Sequence, residues 1–196
     1  SPAMEDFFSH VDAANVDLKA FTDRFYHKLC GGHLQPVLET LQYLKKETPV
    51  WVELTTLLIP GENDSEKEIQ EMTQWVVENL GPDVPMHFTA FHPEWKMMDT
   101  PSTPSSTLSR ARQIAIDNGV HYAYTGNVHD PKGDSSWCPE CGQLLIERDW
   151  YELGQWHLDE NGCCHNCGHK FPGVVEKTPG TWGSKRLPVN VKAGHF

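Results

Sequence analysis

Apolar residues in the first two thirds of the chain alternate between short runs of strand character and longer stretches at helical spacing. Ala14–Leu18 is the first short run and predicts a strand followed by a polar loop. Pro36 suits the first turn of a helix, and Val37, Leu38, Leu41 and Leu44 recur behind it on one face. Val50–Ile59 is rich in β-branched residues and stops at Pro60-Gly61, which predicts a second strand. Ser65-x-x-Glu68 then has the form of a capping box, and Ile69, Met72, Val76 and Leu80 make one helical face up to Gly81. Met86–Phe91 predicts a third strand, stopped by His92-Pro93. A loop rich in Pro, Ser and Thr, Thr100–Thr107, leads into a helix carrying Leu108, Ala111, Ile114 and Ala115. Asn118-Gly119 supplies its C-cap, and Val120–Tyr124 follows as a fourth strand.

Repeated strand–helix–strand units with connections of crossover length predict an α/β fold with parallel strands. Right-handed crossovers bring the strand C-termini to one edge, where ligands of α/β proteins bind. Four strands make half of a barrel or a small open sheet. After Gly126 the texture changes: residues 137–171 carry cysteine pairs interleaved with Trp137, Trp150, Tyr151 and Trp156, and a Gly/Pro-rich tail begins at Pro172.

The cysteines sharpen this picture. Four of the six fall in two knuckles, Cys138-Pro-Glu-Cys141-Gly and Cys164-His-Asn-Cys167-Gly, separated by 22 residues. Each Cys-x2-Cys turn aims two thiolates at one point, and two knuckles close a tetrahedral four-sulfur shell of structural type. Zinc is the favoured occupant, with rubredoxin-type iron the alternative, because both accept four thiolates. Cys163, His157, His165 and His169 are weaker candidates for the same shell. The first 137 residues hold a single cysteine, unlike a disulfide-stapled secreted scaffold. With no basic and apolar leader at Ser1–Met4, the expectation is a cytoplasmic protein.

Charge narrows the partners. Against 16 Lys and Arg stand 27 Asp and Glu, a formal net charge of −11, which disfavours nucleic-acid binding and a polybasic membrane contact. No run approaches the ~18 apolar residues of a membrane span. At the strand ends, Asn15, Asp17 and Lys19 share a parity, as do Glu53, Thr55 and Leu57. Charges on an inward face are costly unless paired or ligand-bound, and a Lys19–Glu53 pairing would offset both. A solvent-exposed salt bridge at the strand end is the plainer alternative. His92 falls on the same edge, so a site is expected there.

Taken in order, Asp12-Ala-Ala-Asn-Val-Asp17-Leu18-Lys19-Ala20, Leu58-Ile59-Pro60-Gly61-Glu-Asn63-Asp64 and Phe91-His92-Pro93 resemble the later strands of radical S-adenosylmethionine enzymes, above all pyruvate formate-lyase activating enzymes. With Tyr124-Thr-Gly126-Asn127 and the double knuckle, the chain is similar to the radical member of the AmmeMemoRadiSam group. The resemblance implies the C-terminal half of a partial TIM-type barrel over residues 1–130, a zinc-ribbon or rubredoxin-like domain over 131–173, and a tail over 174–196. It implies an S-adenosylmethionine site at Asp17, Lys19 and His92, with Glu53, Thr55 and Asn127 as weaker pocket candidates. Thr55 departs from the Arg that activating enzymes carry in that strand.

In the family, a [4Fe–4S] cluster held by Cys-x3-Cys-x2-Cys cleaves the cofactor to a 5′-deoxyadenosyl radical, which takes hydrogen from a substrate, in some members a protein. That cysteine loop is absent from these 196 residues, so the expectation is a C-terminal portion that is inactive alone. The rival expectations are a non-catalytic zinc-binding interaction module and one subunit of a split enzyme. An open parallel edge also favours self-association.

Overall fold

The computed structural model describes residues 2–181 and 183–185, so the last part of the tail expected over 174–196 lies outside the described residues. In chain order the first elements are α1 (Pro2–Phe8), β1 (Ala13–Asp17), α2 (Asp23–Phe25) and a π-helical turn (Tyr26–Cys30). There follow α3 (Leu34–Glu47), β2 (Trp51–Leu58), α4 (Glu66–Leu80), β3 (Met86–Ala90), α5 (Ser105–Asp117) and β4 (Ala123–Gly126). The remaining elements are α6 (Pro131–Asp134), β5 (Ser136–Trp137), β6 (Leu144–Asp149) and β7 (Glu152–Trp156).

β1 to β4 form a parallel sheet in sequence order, the topology that the crossover pattern predicts. Strand burial alternates, and the buried positions Val52, Leu54 and Leu58 pack with Leu41 and Leu44 of α3, Ile69, Met72 and Val76 of α4, and Leu108 and Ala111 of α5. The helices therefore cover one face, and burying it is the main source of stability for this layer. The opposite face carries Asn15, Asp17, Glu53, Thr55, His87 and Tyr124. A second sheet, β5-β6-β7, is antiparallel and meets the first through an apolar cluster of Tyr122, Tyr124, Leu145, Ile146, Leu158 and Phe171.

Four local expectations are corrected. The polar loop after β1 is instead helical, because Phe25 and Tyr26 are buried against Ala20, Ile59 and Phe91. The helix after Pro104 begins at Ser105, inside the stretch expected to be loop. β4 begins at Ala123 and not at Val120, because the Val120 amide donates to Ala115 O and closes the end of α5. The capping box is half formed: Ser65 Oγ accepts from the Glu68 amide, but the Glu68 carboxylate accepts from the Phe21 amide at 2.8 Å. Glu68 thus fastens the chain after β1 to the start of α4.

Polar side chains also stitch the strand C-termini. Asn63, 1% exposed, accepts from the Ile59 amide at 2.7 Å and donates to Lys19 O and Leu57 O at 2.6 and 2.9 Å. Thr56 Oγ1 donates to Leu18 O, and Thr103 Oγ1 donates to Leu58 O while accepting from the Phe91 amide. Gly61 makes the turn between β2 and Asn63 possible, with φ at +77°. Replacing Asn63 by Ala strands three buried backbone groups, and N63A should lose about 2–4 kcal/mol of stability, read from the urea midpoint.

Candidate functional site

The strand C-terminal edge carries the charged residues singled out above. Lys19 Nζ lies 2.8 Å from Asp17 Oδ2, so the two pair with each other at the end of β1, and Lys19 does not pair with Glu53 as expected. Both remain partly exposed. The Lys19 amide donates to Tyr26 Oη at 3.0 Å, which fixes the backbone beneath the ammonium. Thr55 Oγ1 donates to Asn15 Oδ1 at 2.7 Å across the β1–β2 register. His92 follows β3, is exposed, and lies 3.5 Å from Glu94. Asn127 sits just beyond β4 with φ at +60° and donates to Ala90 O at 3.2 Å. Asn127 therefore joins the end of β4 to the end of β3, while His92 stands apart with its own acidic neighbour.

Glu53 belongs to a different group, lower on the same face. Its Oε2 lies 2.8 Å from His87 Nε2, and its Oε1 accepts from Trp51 Nε1 at 3.0 Å. The hydrogen bond from His87 and that from Trp51 hold its carboxyl below the ordinary value, against the opposing effect of burial. His87 in turn stacks on Tyr124, with ring centroids 5.1 Å apart. Tyr124 Oη shares a 2.7 Å hydrogen bond with Ser136 Oγ, and burial raises the Tyr124 phenol. Sequence reasoning missed His87. The signal was its alternation with Met86 and Phe88, which places it on the polar face beside Glu53.

The four knuckle cysteines converge. Cys138 and Cys167 sulfurs lie 3.5 Å apart, Cys141 and Cys164 sulfurs 3.7 Å, and all four lie within 4.8 Å of one another. A tetrahedron with metal–sulfur bonds of about 2.3 Å has an edge of about 3.8 Å, so the set fits one four-coordinate ion. The two turns are built alike: the Gly142 amide donates to Cys138 O and the Gly168 amide to Cys164 O, with φ at +71° and +78°. Cys163 lies outside the shell, its amide bound to Asp159 Oδ1. The four thiolates form a closed set, and no three of the six cysteines have the spacing of a radical cluster loop.

No family model matches the chain. The chain is 44% identical over 166 residues to an uncharacterized protein of Methanocaldococcus jannaschii, covering 84% of this chain and 49% of that protein. It thus spans about half the length of the curated relative it matches. Among solved structures it is similar to a domain of a pyruvate-formate lyase-activating enzyme from Bacteroides vulgatus, with a TM-score of 0.57 and 16% identity over 65% of this chain and 74% of that one. It is also similar to a radical SAM methyltransferase from Sphaerobacter thermophilus, with a TM-score of 0.53 and 18% identity over 73% of this chain and 41% of that one. The fold is therefore radical-SAM-like: an α/β layer with a four-stranded parallel sheet, joined to a four-cysteine centre. No helix among the described residues is long and apolar enough to cross a membrane.

Two outcomes follow. Metal analysis of the purified chain should find one zinc or iron per molecule, and C138S or C164S should abolish it, because each removes a buried ligand of a four-sulfur shell. Glu53 has its carboxyl depressed below 4.5 in the folded state, so its stabilising contribution is complete above that value and lost as pH falls through the lower folded value. Urea midpoints measured down an acid series should therefore fall less steeply for E53Q than for the native chain.

Proposed function

We propose that this chain is the C-terminal part of a radical S-adenosylmethionine enzyme of the activating-enzyme type, in the AmmeMemoRadiSam group, and that its strand C-terminal edge forms part of the cofactor site. The observation that carries the reading is the Lys19–Asp17 pair at the end of β1, held by Asn63 and Tyr26 on a sheet of radical-SAM-like order. A sulfonium ligand with an amino-acid end brings a carboxylate for Lys19 and cationic groups for Asp17. Such a ligand exchanges one ion pair for two and so offsets the cost of parting the residues. His92, Thr55 and Asn127 border the edge and are its further candidates, and Glu53 reaches it only through the polar face.

The six cysteines present do not have the spacing of a radical cluster loop. In this reading its cysteines belong to sequence that this chain does not contain, as the greater length of the archaeal relative allows. The four-cysteine centre is then a structural zinc site, and the ribbon around it a lid or docking module. The protein works in the cytoplasm, its substrate can be another protein, and the open edge at β1 is the surface for completing the barrel or for self-association. One observation favours a second reading, a non-catalytic metal-binding module: Lys19 and Asp17 already satisfy one another without a ligand.

The reading frame ahead of residue 1 decides between them. Cys-x3-Cys-x2-Cys within it supports the radical enzyme, and a frame without that loop overturns it. In the protein that carries the loop, K19A should weaken S-adenosylmethionine binding about tenfold or more in equilibrium dialysis, the loss of one charge-assisted hydrogen bond. Unchanged affinity removes Lys19 from the site.

A further inference from the structure

The polar face of the parallel sheet and the ribbon enclose a cleft of about 1140 Å³, large enough for a sizeable organic ligand. Its walls offer flat apolar surfaces from Trp51 and Trp150, with Tyr124 behind the stacked ring of His87. Arg148 of β6 is the one cation among its lining residues. It has no carboxylate within 4.0 Å among the described residues; one N–H donates to Ser136 Oγ at 2.7 Å, and the guanidinium carbon lies 5.9 Å from the Tyr124 ring centroid. The Tyr124 hydroxyl also feels the guanidinium, and of the five guanidinium N–H donors some are left for another partner.

Among the described residues no carboxylate of the cleft reaches Arg148 within ion-pair distance, although its charge acts on Glu53 across the cleft. Glu53 is committed to His87 and Trp51, Asp12 is exposed, and Asp134, on α6, has its carboxyl raised by burial. Trp150 sits at the tip of the β6–β7 hairpin over the cleft. Trp150 adopts φ at +55°, a conformation bulky residues rarely take, and its indole N–H is held by His129 Nδ1 at 3.1 Å. A positive φ at the first central residue is what the two-residue turn between Asp149 and Glu152 requires, so the hairpin itself holds the indole in place.

We propose that this cleft binds a small planar aromatic acid, its ring against Trp51 and Trp150 and its anionic group on Arg148, with the His87–Glu53 pair beside it. A ring supplies the flat apolar partner that two aromatic side chains match, and a carboxylate or phosphate takes the remaining N–H donors. The cleft shares Glu53 and Asn127 with the strand-end candidates, while Arg148, His87 and Trp150 belong to it alone.

The test titrates the metal-loaded chain with anthranilate and with phenyl phosphate while following tryptophan fluorescence. Aniline and cyclohexanecarboxylate serve as probes lacking the acid and the aromatic ring respectively. The expected result is saturable quenching by at least one of the two aromatic acids, and which of them binds identifies the anionic group. Aniline, cyclohexanecarboxylate and R148M should each show affinity at least about tenfold weaker. R148K, which keeps the charge but loses the fork, should fall between, and it replaces R148M if circular dichroism shows that variant unfolded. The titration is run without S-adenosylmethionine, so failure of the cofactor reading leaves this result intact. Absence of saturation by both acids up to about 10 mM, or equal affinity in folded R148M and R148K, overturns the proposal.

Discussion

The side-chain amide of Asn63 joins the C-terminal ends of β1 and β2, and the polar chemistry of that edge depends on the junction. Parallel strands have no tight hairpin to hold their ends, so backbone groups just past the last ladder bond need other partners. Asn63 supplies three at once, to Ile59, Lys19 and Leu57. Thr56, Thr103 and Tyr26 repeat the device at neighbouring positions. The result is an edge whose backbone is fixed from within, so that Lys19 and Asp17 can project charge without unravelling the strand beneath them. Rigid backbone under exposed charged groups is what a binding edge requires, because the ordering cost falls on folding and not on the ligand.

What the sequence made legible follows from where burial is one-sided. β2 alternates buried and half-buried positions along its whole length, so the strand, its stop at Pro60-Gly61 and the parity of Glu53 with Thr55 could all be read directly. The cysteine knuckles were legible for a different reason, since a short turn with two thiols carries its geometry in its own spacing. α1 buries no residue and left no periodic signal. The helical turns over 23–30 owe their form to Phe25 and Tyr26 packing on residues far along the chain, contacts that local pattern does not contain. The Lys19–Glu53 pairing failed for a reason of register. Glu53 aligns with Asn15, below the strand end, while Lys19 lies past Asp17 and beyond the ladder.

Register also explains why His87 was missed and why it matters. Thr55 aligns with His87 and His87 with Tyr124, so the three strands bring Glu53, His87 and Tyr124 together although they lie far apart in sequence. Glu53 on an open face would be costly in a covered cleft without a donor, and His87 and Trp51 are the donors. The polar interior of this face is therefore built by the sheet itself and needs no charge from the strand edge.

The ribbon adds what the sheet lacks. Cys138 and Cys164, the two buried sulfur ligands, belong to the same apolar cluster as Tyr122, Tyr124 and Phe171, so metal ligation and the packing of ribbon on sheet share one core. β6 leaves that core at Leu145 and Ile146 and carries Arg148 two residues further, to the wall of the cleft. The position of the guanidinium is thus set by the cluster that the four sulfurs close. A metal ion held by those four sulfurs would fix the turns, and through them the start of β6 and Arg148, the one cation lining the cleft among the described residues. On the proposed readings the four-sulfur set and the cleft would form one mechanical unit, which would give that centre a role beside a sheet whose own helices already bury its other face.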